Sequence, residues 1–380
     1  MPELPEVETV KLGLEKLVVG KRVARVSYNW PKGFPNTPAD VDQFLVGATI
    51  TAVRRRAKVL LIDLNTDYSL MIHLKMTGQL VFVQQKQESK EDREERGDSA
   101  GSSNTLNSNS NLTTQNSETN EVRFGAGHPS DSLINKLPDK STRVIFCLHS
   151  PFRKDSGLGA NTRKQRSAQV DVETPLRQST ADSDNEISQE QWQRFGLSPK
   201  VGHCDSCLFF NDQRKFGWVK LLPTEQIKND PFMQKVGPEP LSKSFTATVF
   251  IPRIRKRANS SIKAALLDQT VLAGIGNIYA DESLFGAQIH PAVVVKNLND
   301  ADLTRLLTEI KSVLRLAIKK GGSSDKNYVN AEGRKGSYID FAKVFRREGL
   351  PCVVCGAQIE KSRIAGRGTH TCPSCQSKTK

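Results

Sequence analysis

The sequence predicts a multi-domain α+β protein: a β-rich N-terminal unit behind a leading helix, a helical unit, and a small metal-held unit at the C-terminus. Three observations carry this. The chain has 380 residues, more than one ordinary domain holds. Its hydrophobic period shifts from helical, to strand-like between Lys21 and Val83, and back to helical beyond about residue 260. Four of its seven cysteines fall between 352 and 375 in two CxxC pairs.

The elements follow in chain order. Leu4, Val7, Val10, Leu14, Leu17 and Val18 recur at helical spacing, which predicts an amphipathic helix over 3–19. Pro2 and Pro5 at its head read in two ways. Proline suits a first helical turn. Alternatively, trimming of Met1 leaves Pro2 as a secondary amine, a nucleophile that titrates well below a lysine. The runs RVARVSYNW, ATITAVRRRAKVLLIDL and SLMIHLKMTGQLVFV read as strands of a sandwich or barrel. Two polar stretches, 86–138 and 153–200, hold few large apolar side chains and read as disordered insertions in a domain spanning 1–222. STRVIFCLHS and CDSCLFFNDQRKFGWVKLL return to the strand pattern. In the second run, Cys204 and Cys207 are expected on opposite faces of a strand, as structural residues. Residues 223–245 read as a linker, 246–342 as helices, and 343–380 as the metal-held unit.

The formal net charge is +14 and the pI about 9.5. Such an excess points to a polyanion, with nucleic acid and acidic membrane surfaces as the two candidates. No run approaches the ~18 apolar residues of a membrane span, and the N-terminus lacks a secretory signal. A cytoplasmic location is the expectation.

Cys352, Cys355, Cys372 and Cys375 form C-x2-C-x16-C-x2-C, the spacing of two knuckles closing on one structural Zn²⁺. Arg367, flanked by Gly366 and Gly368, is placed on a turn that projects a cation. In LLDQTVLAGIGNIYADE the glycines do not make a dinucleotide fingerprint, because Tyr279 stands where a third glycine is needed. A tight turn at a helix N-terminus remains an anion site, with a DNA phosphate as the expected occupant and Asn277 as an added donor.

Taken together, MPELPEVETV, RRRAKVLLIDL, HLKMTGQL, NDQRKFG, VGPEPLS, IKAALLDQTVLAGIGNIYADESLFGAQIHP and GRGTHTCPSCQ resemble the formamidopyrimidine-DNA glycosylase (MutM-type) family over the chain outside the two insertions. The resemblance implies an N-terminal β-sandwich, a helix-two-turn-helix domain and a β-hairpin zinc finger, with damaged double-stranded DNA held between the halves by a monomer. It implies Pro2 as the nucleophile at C1′ of an oxidised purine nucleotide, Glu3 as proton donor to the opening sugar, Lys58 as an assistant at the lesion and in β-elimination, and Arg367 as a phosphate ligand serving the later δ-elimination. Met76, Arg214 and Phe216 match the wedge that fills the vacated stack. Lys263 and Asn277 match phosphate-gripping positions, and the loop AEGRKGSY matches the segment over the everted base. Lys215, Ser141 and Asn259 depart from residues common in the family, with the run Arg253, Arg255, Lys256 and Arg257 as a candidate compensation. Met76 and Phe216 fit core positions of their strands equally well. The alternatives are a pyrimidine-directed glycosylase of the endonuclease VIII type and a non-catalytic zinc-ribbon DNA-binding protein.

Overall fold

The computed structural model describes residues 2–85, 121–127, 137–150, 195, 204–323 and 337–377. Helix α1 (Leu4–Val18) opens with a reciprocal capping box in which the Glu3 N–H donates to Glu6 Oε2 at 2.8 Å. Pro5 lies in the first turn, where a missing N–H costs nothing. The apolar stripe predicted from the sequence serves two cores. Val7, Val10, Leu14 and Val18 enter one, and Leu4 enters another, so α1 joins them.

The first core lies between two antiparallel sheets. The strands are β1 (Arg22–Tyr28), β2 (Ile50–Arg56), β3 (Val59–Leu64), β4 (Tyr68–His73), β5 (Gly78–Gln85), β6 (Glu121–Gly127), β7 (Thr142–His149), β8 (Ser206–Asp212) and β9 (Trp218–Pro223). One sheet runs β1-β7-β8-β5-β6, the other β2-β3-β4-β9. Leu60, Ile62, Leu70 and Ile72 face Leu80, Phe82, Val144, Phe146 and Phe210 across the sandwich. The alternate residues of the larger sheet, among them Val81, Ile145, Cys147 and Phe209, form a second cluster on its outer face.

Four readings of this region need correction. Helix α2 (Pro38–Phe44) interrupts the segment read as strands, and its signals were legible: Thr37 caps it, accepting from the Asp40 N–H at 3.2 Å, and Pro38 takes the first turn. Residues 121–127, inside the stretch read as disordered, form edge strand β6 on β5. An edge strand draws its ladder from one neighbour and needs little apolar patterning of its own. Phe195, inside the second such stretch, is buried against the outer cluster; most of both stretches lies outside the described residues. Cys204 and Cys207 do not point apart, because a bend at Asp205 precedes β8 and both pack against Cys147.

The stretch read as a linker carries a 3₁₀ turn (Thr224–Asn229) and helix α3 (Pro231–Lys235) capped by Asp230, and it packs Ile227, Phe232 and Met233 on Val59, Leu61 and Met71. Then come α4 (Ala247–Arg255), α5 (Ile262–Leu267), α6 (Asn277–Gly286) and α7 (Asp300–Lys319). The α7 stripe Leu303, Leu306, Leu307, Ile310 and Leu314 closes the second core over α6. Helix α6 is buried from Tyr279 to Phe285, so its polar side chains Asp281 and Glu282 must find partners inside the protein. Strands β10 (Glu360–Ile364) and β11 (Arg367–Thr371) make the C-terminal hairpin. Ala365 and Gly366 both have positive φ, the geometry of a two-residue hairpin turn. Arg367 therefore opens β11 and does not sit on the turn itself. No helix among the described residues is long and apolar enough to cross a membrane.

Candidate functional site

The site is built on the N-terminus of α6, and its anion comes from the protein. Glu3 accepts from the N–H groups of Gly276 at 2.8 Å and Ile278 at 3.0 Å, so a carboxylate 273 residues upstream occupies the place expected for a DNA phosphate. Glycine is required at this contact: a Cβ on Gly276 would lie 2.3–2.4 Å from the Glu3 carboxyl. Gly274, at φ +86, brings its backbone onto Leu4, whose N–H donates to Gly274 O at 3.0 Å. These glycines seat α1 on α6.

Burial dominates the electrostatics of Glu3. It raises the carboxyl to about 7, aided by Glu6 and opposed by the Lys58 charge and the α6 amides. Glu3 is thus partly protonated at neutral pH. Glu6 is held in turn by Tyr279 Oη at 2.5 Å, Ser323 N at 2.7 Å and Ser323 Oγ at 2.9 Å. Lys58 is buried on the turn between β2 and β3, with Nζ donating to Ile275 O at 2.9 Å. Desolvation lowers its pKa, with Arg367 and Lys75 adding to the effect against Glu3 and Glu6.

Glu239 fixes that turn. It accepts from the Ala57 N–H, from Arg55 Nη1 at 3.1 Å and from Arg56 Nη1 at 3.2 Å, while Arg55 Nε also reaches Glu8 Oε2 at 2.6 Å. The arginines of RRRAK thereby tie α1, the β2–β3 hairpin and the 237–239 segment together.

Pro2, Glu3, Lys58, Met76, Asn277 and Arg367 line one cleft of about 440 Å³, bounded also by Ser323 and Phe345. The lining comes from widely separated stretches of chain, from the N-terminus to the C-terminal hairpin. Met76 and Phe216 are 41% and 55% exposed, which removes the reading of either as a core residue. Arg214 bridges them, with Nη1 3.6 Å from Met76 Sδ and its guanidinium 5.5 Å from the Phe216 ring centroid. Buried Asp212 sets both loops by accepting from Thr77 Oγ1, Arg214 N at 3.2 Å and Gly217 N at 2.6 Å. Lys215 is exposed at φ 57.

Lys263 does not present a free ammonium to solvent. It is fully buried, and Nζ donates to Asp281 Oδ1 at 2.6 Å, Thr369 Oγ1 at 2.7 Å and Gly368 O at 3.1 Å. All three of its hydrogens are committed. Asn277 Nδ2 donates to the same Gly368 carbonyl at 3.0 Å. These two side chains grip the residue after Arg367. Asp281 Oδ2 takes the His370 N–H at 3.0 Å, and Glu282 accepts from Lys343, Val344 and Phe345 amides at 2.8–2.9 Å. One helix therefore orients Glu3 at its N-terminus and the hairpin bearing Arg367 along its side.

The basic run is also spent internally: Arg253 bonds Val271 O, Arg255 bonds Leu298 O and Asp300, and Arg257 bonds Asp268. Lys256 of the same run is exposed, as is Asn259. Ser141 is buried in a turn on Asp139 and donates to Oδ1 through both N–H and Oγ. Most of the loop AEGRKGSY lies outside the described residues. Glu6, Glu239, Asp281 and Glu282 escaped the sequence reading, as did the bond from Tyr279 to Glu6; the one signal for the four carboxylates was acidic residues inside motifs of a strongly basic chain.

The four C-terminal cysteines have Sγ atoms all within 4.8 Å of one another, with pairs at 3.4 and 3.9 Å. Tetrahedral zinc at ~2.3 Å from each sulfur requires S···S near 3.8 Å, so the set fits one structural Zn²⁺. Amide N–H groups of Val354 and Cys375 point at Cys352 and Cys372 Sγ at 3.4 Å, as thiolate ligands require.

Family models match in the same three places. The formamidopyrimidine-DNA glycosylase N-terminal domain matches 1–112, the H2TH domain of that family 236–328, and the zinc finger found in FPG and IleRS 349–378. The formamidopyrimidine-DNA glycosylase of Listeria innocua is 32% identical over 377 residues, covering 99% of this chain and all of the relative. That of Halalkalibacterium halodurans is 32% identical over 379 residues with the same coverage. Among solved structures, a point mutant of Lactococcus lactis FPG with Fapy-dG containing DNA superposes at TM-score 0.66 with 27% identity, over 99% of this chain and 100% of that one. MutM in complex with carbocyclic 8-oxo-G containing DNA superposes at 0.65 with 27% identity and the same coverage.

Proposed function

The chain belongs to the formamidopyrimidine-DNA glycosylase family and is a DNA glycosylase; from that premise we propose that it excises oxidised purines, 8-oxoguanine and formamidopyrimidines, and then cuts the strand as an abasic-site lyase. One observation carries the reading. Pro2, Glu3, Lys58 and Arg367, drawn from the N-terminus, the β2–β3 turn and the zinc hairpin, meet in a single cleft where the Glu3 carboxyl titrates near 7.

After Met1 is removed, the Pro2 nitrogen attacks C1′ of the everted nucleotide. Glu3 protonates the opening sugar, a task suited to a carboxylic acid whose pKa lies at working pH. The base departs and a Schiff base remains on Pro2. Lys58 serves at the lesion and in removal of the 2′ proton during β-elimination; its lowered pKa increases the fraction available as a base. Arg367 holds the phosphate that leaves in the δ step. Met76, Arg214 and Phe216 occupy the gap left by the flipped nucleotide, whose extrusion costs a few kcal/mol. Bound zinc holds the hairpin that carries Arg367. The catalytic unit is 1–222 and the helical and zinc units are 246–342 and 343–380, acting as a cytoplasmic monomer.

Borohydride trapping on abasic duplex tests the reading. The trimmed protein is expected to become covalently attached to DNA, and Pro2→Gly to lose most of that adduct. Undiminished trapping by protein that retains Met1 or carries an acyl cap would reject Pro2 as nucleophile. Turnover on 8-oxoguanine opposite cytosine against thymine glycol separates the purine reading from the pyrimidine one.

A further inference from the structure

A second cluster of reactive side chains lies on the outer face of the larger sheet, outside the cleft. Strands β7 and β8 pair with Cys147 directly opposite Cys207, and their Sγ atoms are 4.0 Å apart. Facing residues of antiparallel strands have Cα atoms about 4.5–5.5 Å apart. That interval lies inside the 4.4–6.8 Å a disulfide usually bridges. The bend at Asp205 delivers Cys204 to the same cluster, where all three cysteines pack with Val81, Ile145 and Phe209. Asp205 Oδ2 accepts from the Ser150 N–H at 2.7 Å, which ties the bend to the end of β7.

Cationic groups border the trio. In the sheet register Arg25 of β1 lies opposite Cys147 on the side away from Cys207. His149 follows two residues along β7, with Nδ1 3.8 Å from Asp205. Cys147 is buried, whereas Cys204 and Cys207 are partly exposed. The three thiols differ accordingly. Hydrogen bonds from Cys147 and Cys207, with the charges of His149 and Arg25, push the Cys204 thiol down. Cys147 is pushed up by its bonding to Cys204 and by burial, against its bond to Cys207, and Cys207 is pushed up by its bonding to both other sulfurs and by burial. One sulfur is suited to attack, and the other two to follow it.

We propose that Cys147 and Cys207 form a reversible disulfide, with Cys204 as the sulfur that meets the oxidant, a peroxide. The Cys204 thiolate attacks one peroxide oxygen and the O–O bond breaks. With a proton from solvent this leaves a sulfenic acid and one water. The Cys207 thiol displaces that hydroxyl as a second water, forming a Cys204–Cys207 bond. Cys147 then attacks the Cys207 sulfur and releases Cys204 as a thiol. In total two thiols lose two electrons and two protons, and one peroxide becomes two waters. Closing 4.0 Å to bond length requires side-chain rotation only, because the strands already hold the two residues in register.

The test uses the full zinc-loaded chain, exposed to hydrogen peroxide, alkylated and mapped by peptide mass spectrometry. The expected result is a peptide pair linked through Cys147 and Cys207 that dithiothreitol reverses. Cys204→Ser is expected to slow its formation at neutral pH by roughly tenfold without changing which bond forms. Strand-cleavage activity should stay at the wild-type level in that variant, since Cys204 lies outside the cleft, and this checks that it folds. Absence of the linked pair once Cys204 has passed to sulfinic acid would overturn the proposal. So would a zinc content of two per chain with the three thiols unreactive, which would make the trio a metal site.

Discussion

Gly276→Ala isolates the contact between the two ends of the site. At φ −131 and ψ −158 the backbone of Gly276 is extended and accepts alanine without strain, so any effect comes from the added methyl group. That methyl would stand 2.3 Å from the Glu3 carboxyl carbon and must displace it. The displaced carboxyl loses its bonds to the Gly276 and Ile278 amides, at 2.8 and 3.0 Å. Hydrogen bonds to a charged group contribute ~1.5–3 kcal/mol each. The lower end for the pair, ~3 kcal/mol, corresponds to roughly a hundredfold loss in rate if Glu3 must be in place to protonate the sugar. The α6 amides also hold the carboxyl down, so their loss should raise its pKa above the present value of about 7. Single-turnover excision from an 8-oxoguanine duplex, followed from pH 6 to 9, reads both effects. The expected outcome is a slower rate whose alkaline fall is moved to higher pH. A variant with wild-type rate and an unmoved alkaline limb would refute the assignment of Glu3 as the positioned acid.

Three further outcomes follow from the same geometry. Glu3→Gln should stabilise the fold at alkaline pH: a carboxyl raised from 4.5 to about 7 lends stability that is complete below the unfolded pKa and is lost as pH rises through the folded one. The difference amounts to ~3 kcal/mol at pH 8 and vanishes near pH 4, checked by denaturant unfolding at both. Lys263→Met leaves Asp281 buried without its cation, and breaking a buried pair costs ~3–5 kcal/mol. Lower melting temperature with weakened δ-elimination is expected, and a silent variant would contradict the clamp. Met76→Ala with Phe216→Ala should leave thermal stability almost unchanged, since both side chains are exposed. Affinity for lesion duplex should fall by about tenfold, the share expected of lost stacking of ~1–3 kcal/mol per base; equal losses on undamaged duplex would count against a wedge.

What the sequence determined by itself is whatever short-range pattern encodes. The α1 stripe, the paired strands around RRRAK, the α7 stripe and the four zinc ligands each follow from residue type and spacing within a few tens of residues. Pro2, Glu3, Lys58 and Arg367, which meet in one cleft, could be singled out because their motifs stand in family order. Tertiary structure decided how buried polar groups are satisfied. Glu3 and Gly276 lie 273 residues apart, so no local pattern reveals that a carboxylate fills the anion site at α6. Lys263 reads as a free cation until Asp281 and Gly368, the latter 105 residues on, enclose it. Edge strand β6 and the meeting of Cys147 with Cys204 and Cys207 across 56 or more intervening residues are of the same kind. Desolvation obliges a buried charge or donor to find a partner, and which partner it finds is set by where distant segments come to rest.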